Sequence, residues 1–430
     1  RFAWRPMEAG RRLQDLLTEF ALTIRSPRFT PQFLNLFLRT YRQHADHILH
    51  NYSKQGNHLL FEAQRMLFAG IYFPEFREAP EWRRSGIEIL NREIGVQVYP
   101  DGMQFELDFG YHIAAIDIFL KALGMASANG YESEFPASYT ETVGKMTTVT
   151  WNLLYPDYSN PMFGDTKSHD KSSLQRQFRS WSKVFPGDKQ LQWFATDGRK
   201  GALPDYTSQQ FPASGFYVLR TGWDKDAAVT VVKAGPPAFW HNQPDNGTFD
   251  YWRRGRNFFP DSGSYVYGGD SAVLAQRNWF RQTRVHNTLT LDNRDLEKTD
   301  SKLLLWDATP ELTTLVTENP SYEGLTHRRA MFFTAEGLLV MPTRCRARPK
   351  APQEYISTSA RARSNMPRTA LCARCSPTAT TSASKPRRPF PCKSARRRDG
   401  SRPPTAKRRS ARPMPSKRRN RPAARCCSSP

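Results

Sequence analysis

In the segment TPQFLNLFLRTYRQHADHILHNY, Leu34, Phe37, Tyr41, Ala45 and Ile48 recur at helical spacing. The same period runs through residues 13–24, 58–71, 82–96, 110–123 and 138–154. Helices of roughly 15–20 residues joined by short loops predict a layered helical array or toroid over residues 1–170. Trp82 and Trp151 are expected in its core. Residues 171–210 lose the apolar period and are rich in Asp, Ser, Gly, Lys and Pro. They predict an interdomain connection with one short helix near residues 172–181.

From Phe211 the period changes to two. GFYVLRT, AAVTVVKAG, FDYWRRGRNFFPDSGSYVYGG, RVHNTLTLDN and RAMFFTAEGLLVM are β-branched and aromatic runs bounded by Gly, Asp and Pro. Helices first and strands afterwards, without alternation, predict an α+β multidomain chain, not a parallel α/β sheet. An antiparallel β-sandwich is expected over residues 211–342. No run of about 18 apolar residues stands out, so no membrane span is expected.

Charge changes the picture only at the end of the chain. The net charge is +23, but residues 343–430 hold 25 of the 63 Lys and Arg and 2 of the 40 Asp and Glu. That leaves 38 of each sign in residues 1–342, which excludes a nucleic-acid-binding body. All six cysteines also lie in the tail, so the body has neither a disulfide framework nor a thiol nucleophile. A cysteine-free body suits an oxidising compartment such as the periplasm. The tail is dominated by Arg, Pro, Ala, Ser and Cys, and the strand pattern breaks off abruptly before it. Two readings compete: a disordered basic tail that binds nucleic acid non-specifically, and the out-of-frame product of a GC-rich gene. The second is favoured, because the composition switches within a few residues, and it makes the sandwich truncated.

Candidate chemistry gathers between His241 and Asn287. His241 opens the turn HNQPDNG, which no core strand would tolerate, and a neutral imidazole can take or give a proton near pH 7. Asp261 lies in FFPDSG and His286 in RVHNTLTL, where alternation sets it opposite Val285. Gln243, Asp261 and His286, drawn from three strands, are a donor set for one divalent cation; a buried Asp–His pair without metal fits the spacing equally. Upstream, Asn57 begins a helix, where an N-cap is the ordinary role, and Tyr111 begins another after an acidic turn. The two clusters are expected to face each other between the two halves of the chain.

FAWRPMEAGRRLQ, GNHLLFEAQRMLFAGIYFPEF, DGMQFELDFGYHIAAIDIF, HNQPDNGTFDYWRRGRNFFPDSGSYVYGG and RVHNTLTLDN together resemble the heparinase II/III family of polysaccharide lyases, in particular its heparinase III branch. The resemblance covers most of residues 1–342. It implies an α/α toroid followed by antiparallel sheets, with this chain truncated at both ends. It implies β-elimination on a uronic-acid-containing glycosaminoglycan such as heparan sulfate, or on another uronate polysaccharide. Asn57 then neutralises the substrate carboxylate, Tyr111 and His241 are the acid–base pair, and His58 supports substrate binding. Gln243, Asp261 and His286 take one supporting divalent ion (calcium, zinc or manganese). Gln243 stands where related branches carry a histidine, and no organic cofactor is expected. The partner is an acidic polysaccharide and the location periplasmic or secreted. A glycoside hydrolase would need two carboxylates flanking the bond; Glu62, Glu93, Glu106 and Asp108 are available, but none belongs to this constellation.

Overall fold

The computed structural model describes residues 2–238 and 241–347, together with the backbone of Tyr355–Ile356. Six long helices come first: α1 (Pro6–Thr23), α2 (Pro31–Asn51), α3 (Gly56–Tyr72), α4 (Ala79–Gln97), α5 (Phe109–Ala128) and α6 (Ala137–Asn152). Local chemistry explains their starts. Thr30 accepts a hydrogen bond from the Phe33 amide, and Pro31 occupies the first turn of α2, where a missing N–H costs nothing. Asp108 caps α5 through the amides of Gly110 and Tyr111. The stripe of α2 expected from its spacing is buried at Phe37, Tyr41, Ala45 and Ile48. Trp82 and Trp151 are core residues, as expected.

Helices α3 and α4 touch through two glycines. A Cβ on Gly86 would stand 2.4 Å from the Ala63 carbonyl oxygen, and one on Gly70 2.3 Å from that of Ala79. Gly86→Ala is therefore expected to destabilise the protein by ~1–3 kcal/mol through overpacking. Thermal unfolding reads this directly; an unchanged midpoint would contradict so close a helix crossing.

Contrary to the expectation of no membrane span, helix α5 is by length and composition long and apolar enough to cross a membrane. Its apolar residues pack instead into the protein core beside α3 and α6, with Ile113, Ile116, Phe119 and Leu123 buried. The connection holds the expected helix, α7 (Lys171–Trp181), and a second, α8 (Lys189–Thr196), that the sequence reading missed.

Two antiparallel five-stranded sheets follow. The first runs β1 (Gln209–Phe211), β2 (Phe216–Arg220), β3 (Ala228–Lys233), β4 (Thr248–Arg253), β5 (Arg256–Asn257) in chain order. Strands β2 and β3 are buried at every position, and their two faces have different partners. Phe216, Val218, Val229 and Val231 join the core of the helical half. Tyr217, Leu219, Ala228 and Val232 pack with Leu315, Met331 and Phe333 of the second sheet. Burial on both faces is why these strands read as continuous apolar runs.

The second sheet is β7 (Lys302–Ala308), β8 (Leu312–Tyr322), β9 (Leu325–Thr334) and β10 (Leu339–Val340), with β11 (Thr343–Ala347) also on β9. Strand β11 corrects the expected boundary at residue 342: Thr343 pairs with Arg329 and Ala347 with Leu325. Inside the stretch expected to lack structure, β12 (Tyr355–Ile356) also pairs with β6 (Thr290–Leu291). The rest of the expected basic tail, including its reading as a frameshift product, lies outside the described residues.

Candidate active site

Four segments that are not interiors of regular elements meet where the helices join the first sheet. Asn57 is the second residue of α3. It is not the N-cap: Gln55 holds that position, and the Asn57 amide reaches Glu106 Oε2 at 3.4 Å instead. Tyr111 sits in the first turn of α5, fixed by the Asp108 cap. Its ring stacks on His241 with centroids 3.7 Å apart and planes at 16°. His241 Nε2 lies 3.9 Å from Glu106 Oε2. Asn57, Tyr111 and His241 therefore form one cluster across the two halves, and all three keep part of their side chains exposed. His58 is exposed beside it, and partial burial, followed by Arg5 and then His241, holds its pKa below the ordinary value.

The turn bearing His241 is anchored from below. Lys233 Nζ bonds both carboxylate oxygens of Asp245 (2.8 and 2.9 Å) and the Asn242 side-chain oxygen (2.8 Å). Both charged side chains are at least 96 % buried. Asp245 also accepts the Gly164 amide at 3.2 Å, tying the turn to the connecting segment.

Four participants were not assigned a role from the sequence. Asp165 accepts from His241 Nδ1 at 3.2 Å, from Arg277 at 3.1 Å and from the Gln243 amide at 3.2 Å. Burial works to raise its pKa, but these partners outweigh it and hold the carboxyl below its ordinary range. Arg277 belongs to α9 (Ser271–Phe280), a helix inside a stretch expected to be strands. Tyr267 lies under the Arg277 guanidinium at 4.8 Å and meets the Tyr111 hydroxyl at 3.4 Å. Glu106, set aside on sequence grounds, is buried between Asn57 and His241. No spacing rule could have found these groups, because each arrives from a loop or from a helix without an apolar stripe.

Burial, helped by Asp108, pushes the Glu106 carboxyl up to about 7, against opposing contributions from His241 and Asn57. Burial likewise lifts Asp108 to about 6. Glu106 thus holds its proton more tightly when folded than at its ordinary 4.5. Its contribution to stability is complete below pH 4.5 and is lost as the pH rises through about 7. Urea titrations of the wild type and Glu106→Gln should diverge over that window, the wild type losing stability relative to the variant. A constant difference would refute the buried acid.

The metal set is only partly gathered. Asp261 Oδ2 accepts from His286 Nδ1 at 2.8 Å, and both side chains are fully buried. Burial pulls the His286 pKa down, but Asp261 outweighs it and raises it. Gln243 spends its amide N–H on the Gly164 carbonyl (2.7 Å) and Asp165. The hydrogen bonds thus draw the Asp–His pair, and none of the three ligands lies in a strand: His286 follows a 3-10 turn at Thr283–Val285, and Gln243 and Asp261 lie in loops. Yet His286 Nε2 and Gln243 Oε1 are buried without a hydrogen-bond partner among the described residues. Buried polar atoms are rarely left so, and with Asp261 they are N and O donors suited to a divalent ion. Among the described residues, no group of three or more His, Cys, Asp and Glu forms a metal cluster.

Residues 1–193 match the heparinase II/III N-terminus, and residues 204–343 match the heparinase II/III-like C-terminal domain. The chain is 56% identical over 341 residues to a heparin-sulfate lyase of Bacteroides stercoris, a match covering 79% of this chain and 51% of that protein. It is 51% identical over 333 residues to the heparin-sulfate lyase of Pedobacter heparinus, covering 77% of this chain and 50% of that one. It thus spans about half the length of the relatives it matches. A solved heparinase III superposes with a TM-score of 0.74 at 57% identity, covering 81% of this chain and 54% of that one. The solved heparan sulfate lyase of Pedobacter heparinus gives 0.70 at 49% identity, covering 80% and 54%. Both family models, the sequence relatives and the superposed backbones agree that this chain is a member of the heparinase II/III family.

Proposed function

We propose that this chain carries the catalytic cluster of a polysaccharide lyase that cleaves heparan sulfate by β-elimination. The observation that carries the reading is the meeting of Asn57, Tyr111 and His241 at one exposed junction. The helical layers then read as part of an α/α toroid and the paired sheets as a sandwich. The natural setting is periplasmic or extracellular, where an acidic polysaccharide is encountered.

The chemistry follows from what a uronate demands. The proton on the carbon beside the carboxylate is weakly acidic, and an ionised carboxylate opposes the carbanion that forms. The Asn57 amide donates to that carboxylate and favours the enolate-like state. His241 or Tyr111 takes the proton, the electron pair forms the ring double bond, and the glycosidic carbon–oxygen bond breaks. Tyr111 donates its hydroxyl proton to the departing oxygen. The parallel stack sets phenol and imidazole side by side on one wall, which favours both acting from one face of the sugar. Lys167, Arg277 and Arg281 add positive charge nearby, as a polyanionic substrate requires. Gln243, Asp261 and His286 would hold a divalent ion, which supplies fixed positive charge when bound.

Incubation with heparan sulfate should generate near-ultraviolet absorbance from the unsaturated product. Asn57→Ala should lower kcat by ~10²–10³-fold, the cost of removing one such donor. Folded protein producing no such absorbance from heparan sulfate would end the reading; absorbance with an alginate-like polymer alone would move it to another uronate substrate.

A further inference from the structure

We propose that Asp165 is a positioning residue that fixes the tautomer of His241, keeping the proton on Nδ1 and presenting the Nε2 lone pair to substrate. This rests on the lyase reading above and adds to it a group that never touches the sugar. An ionised carboxylate can only accept, so the 3.2 Å contact makes His241 Nδ1 the donor. The rival partner, Glu106, is 3.9 Å from Nε2, too far for a hydrogen bond.

Asp165 is itself immobilised. Its backbone amide donates to the His241 carbonyl at 3.1 Å. The preceding Gly164 has φ +68°, and a Cβ there would sit 2.8 Å from that same carbonyl oxygen; only glycine lets the two segments come so near. On the carboxylate, Arg277 reaches both oxygens (3.4 and 3.1 Å) and Gln243 adds a third donor. The Arg277 guanidinium in turn covers Tyr267, whose hydroxyl meets that of Tyr111, which stacks on His241. Five side chains close a ring, and Asp165 is the member that dictates where the imidazole proton resides. The arrangement follows the general logic by which a buried carboxylate orients a catalytic histidine.

Asp165→Asn is the sharp test. Gln243 donates to Oδ1 and His241 to Oδ2, with Arg277 shared between them, so the new amide would keep its oxygen on the Gln243 side, still within 3.4 Å of Arg277, and turn its N–H₂ toward His241. That reverses the hydrogen bond and forces the proton to Nε2. In the full chain labelled with ¹⁵N-histidine, the wild type should show His241 protonated at Nδ1, assigned by the signal lost in His241→Gln. Asp165→Asn should show Nε2 protonation and a kcat lower by ~10²-fold or more, with KM changed less than threefold; Asp165→Glu should recover part of kcat. Nε2 protonation in the wild type, or wild-type kcat in Asp165→Asn, would overturn the proposal. The nitrogen spectrum of the unaltered protein decides even if the variant does not fold. It also decides independently of turnover, so an inactive wild type with Nδ1 protonated would sink the lyase reading and leave the tautomer assignment standing.

Discussion

Tyr111→Phe should abolish turnover and leave the protein folded. On the lyase reading the phenolic hydroxyl supplies the proton to the departing oxygen, and loss of a positioned acid–base group lowers rates by ~10²–10⁴-fold. The ring stays in place, so the stack on His241 at 3.7 Å survives. Among the described residues the hydroxyl makes one hydrogen bond, a long 3.4 Å contact with Tyr267 at a partly exposed position. Its loss should cost no more than the ~1 kcal/mol of an ordinary hydrogen bond. Near-ultraviolet product absorbance and the thermal midpoint, measured together, check both halves of the expectation. Retained turnover would remove Tyr111 from the chemistry; a collapsed midpoint would make its role structural.

Lys233→Ala should produce the largest loss of stability. Removing the lysine leaves Asp245 buried and unpaired, which costs ~3–5 kcal/mol. It also strips the donor from Asn242 and loosens the turn that carries His241 and Gln243, so activity should fall with stability. Urea unfolding is the measurement, and a midpoint within error of wild type would show that the ion pair holds nothing. The companion variant Lys233→Met with Asp245→Leu removes both charges. It should recover much of the loss, but not all, because the Gly164 amide then loses its acceptor.

The helices were legible because their apolar residues repeat with one period over several turns, as Phe37, Tyr41, Ala45 and Ile48 do. Strands β2 and β3 were legible as runs, although a run does not say that the strand is covered on both sides. Helix α9 was not legible: Ser271–Phe280 has one well-buried residue, Arg277, so it carries no apolar stripe. His286 is not a strand residue for a related reason: RVHNTL alternates by accident over a 3-10 turn. Of the candidate site, Asn57, Tyr111 and His241 were found through the company they keep in sequence. Glu106 and Asp165 were not, because a carboxylate's meaning depends on what surrounds it, and that is decided by tertiary packing. Strand β11 was hidden by composition: Thr343–Ala347 is rich in arginine, but an edge strand tolerates charge on its open side.

The stack of Tyr111 on His241 constrains how such chains are inherited. Phenol and imidazole come from opposite sides of the helix-to-sheet switch, and each also touches groups from the other side: Tyr111 meets Tyr267, and His241 meets Asp165. A recombination breakpoint between Asp165 and His241 would deliver the phenol from one ancestor and the imidazole from another, and on the lyase reading their mismatch would surface as lost catalysis rather than lost folding. Chimeras among relatives should therefore work only when both sides of that joint travel together.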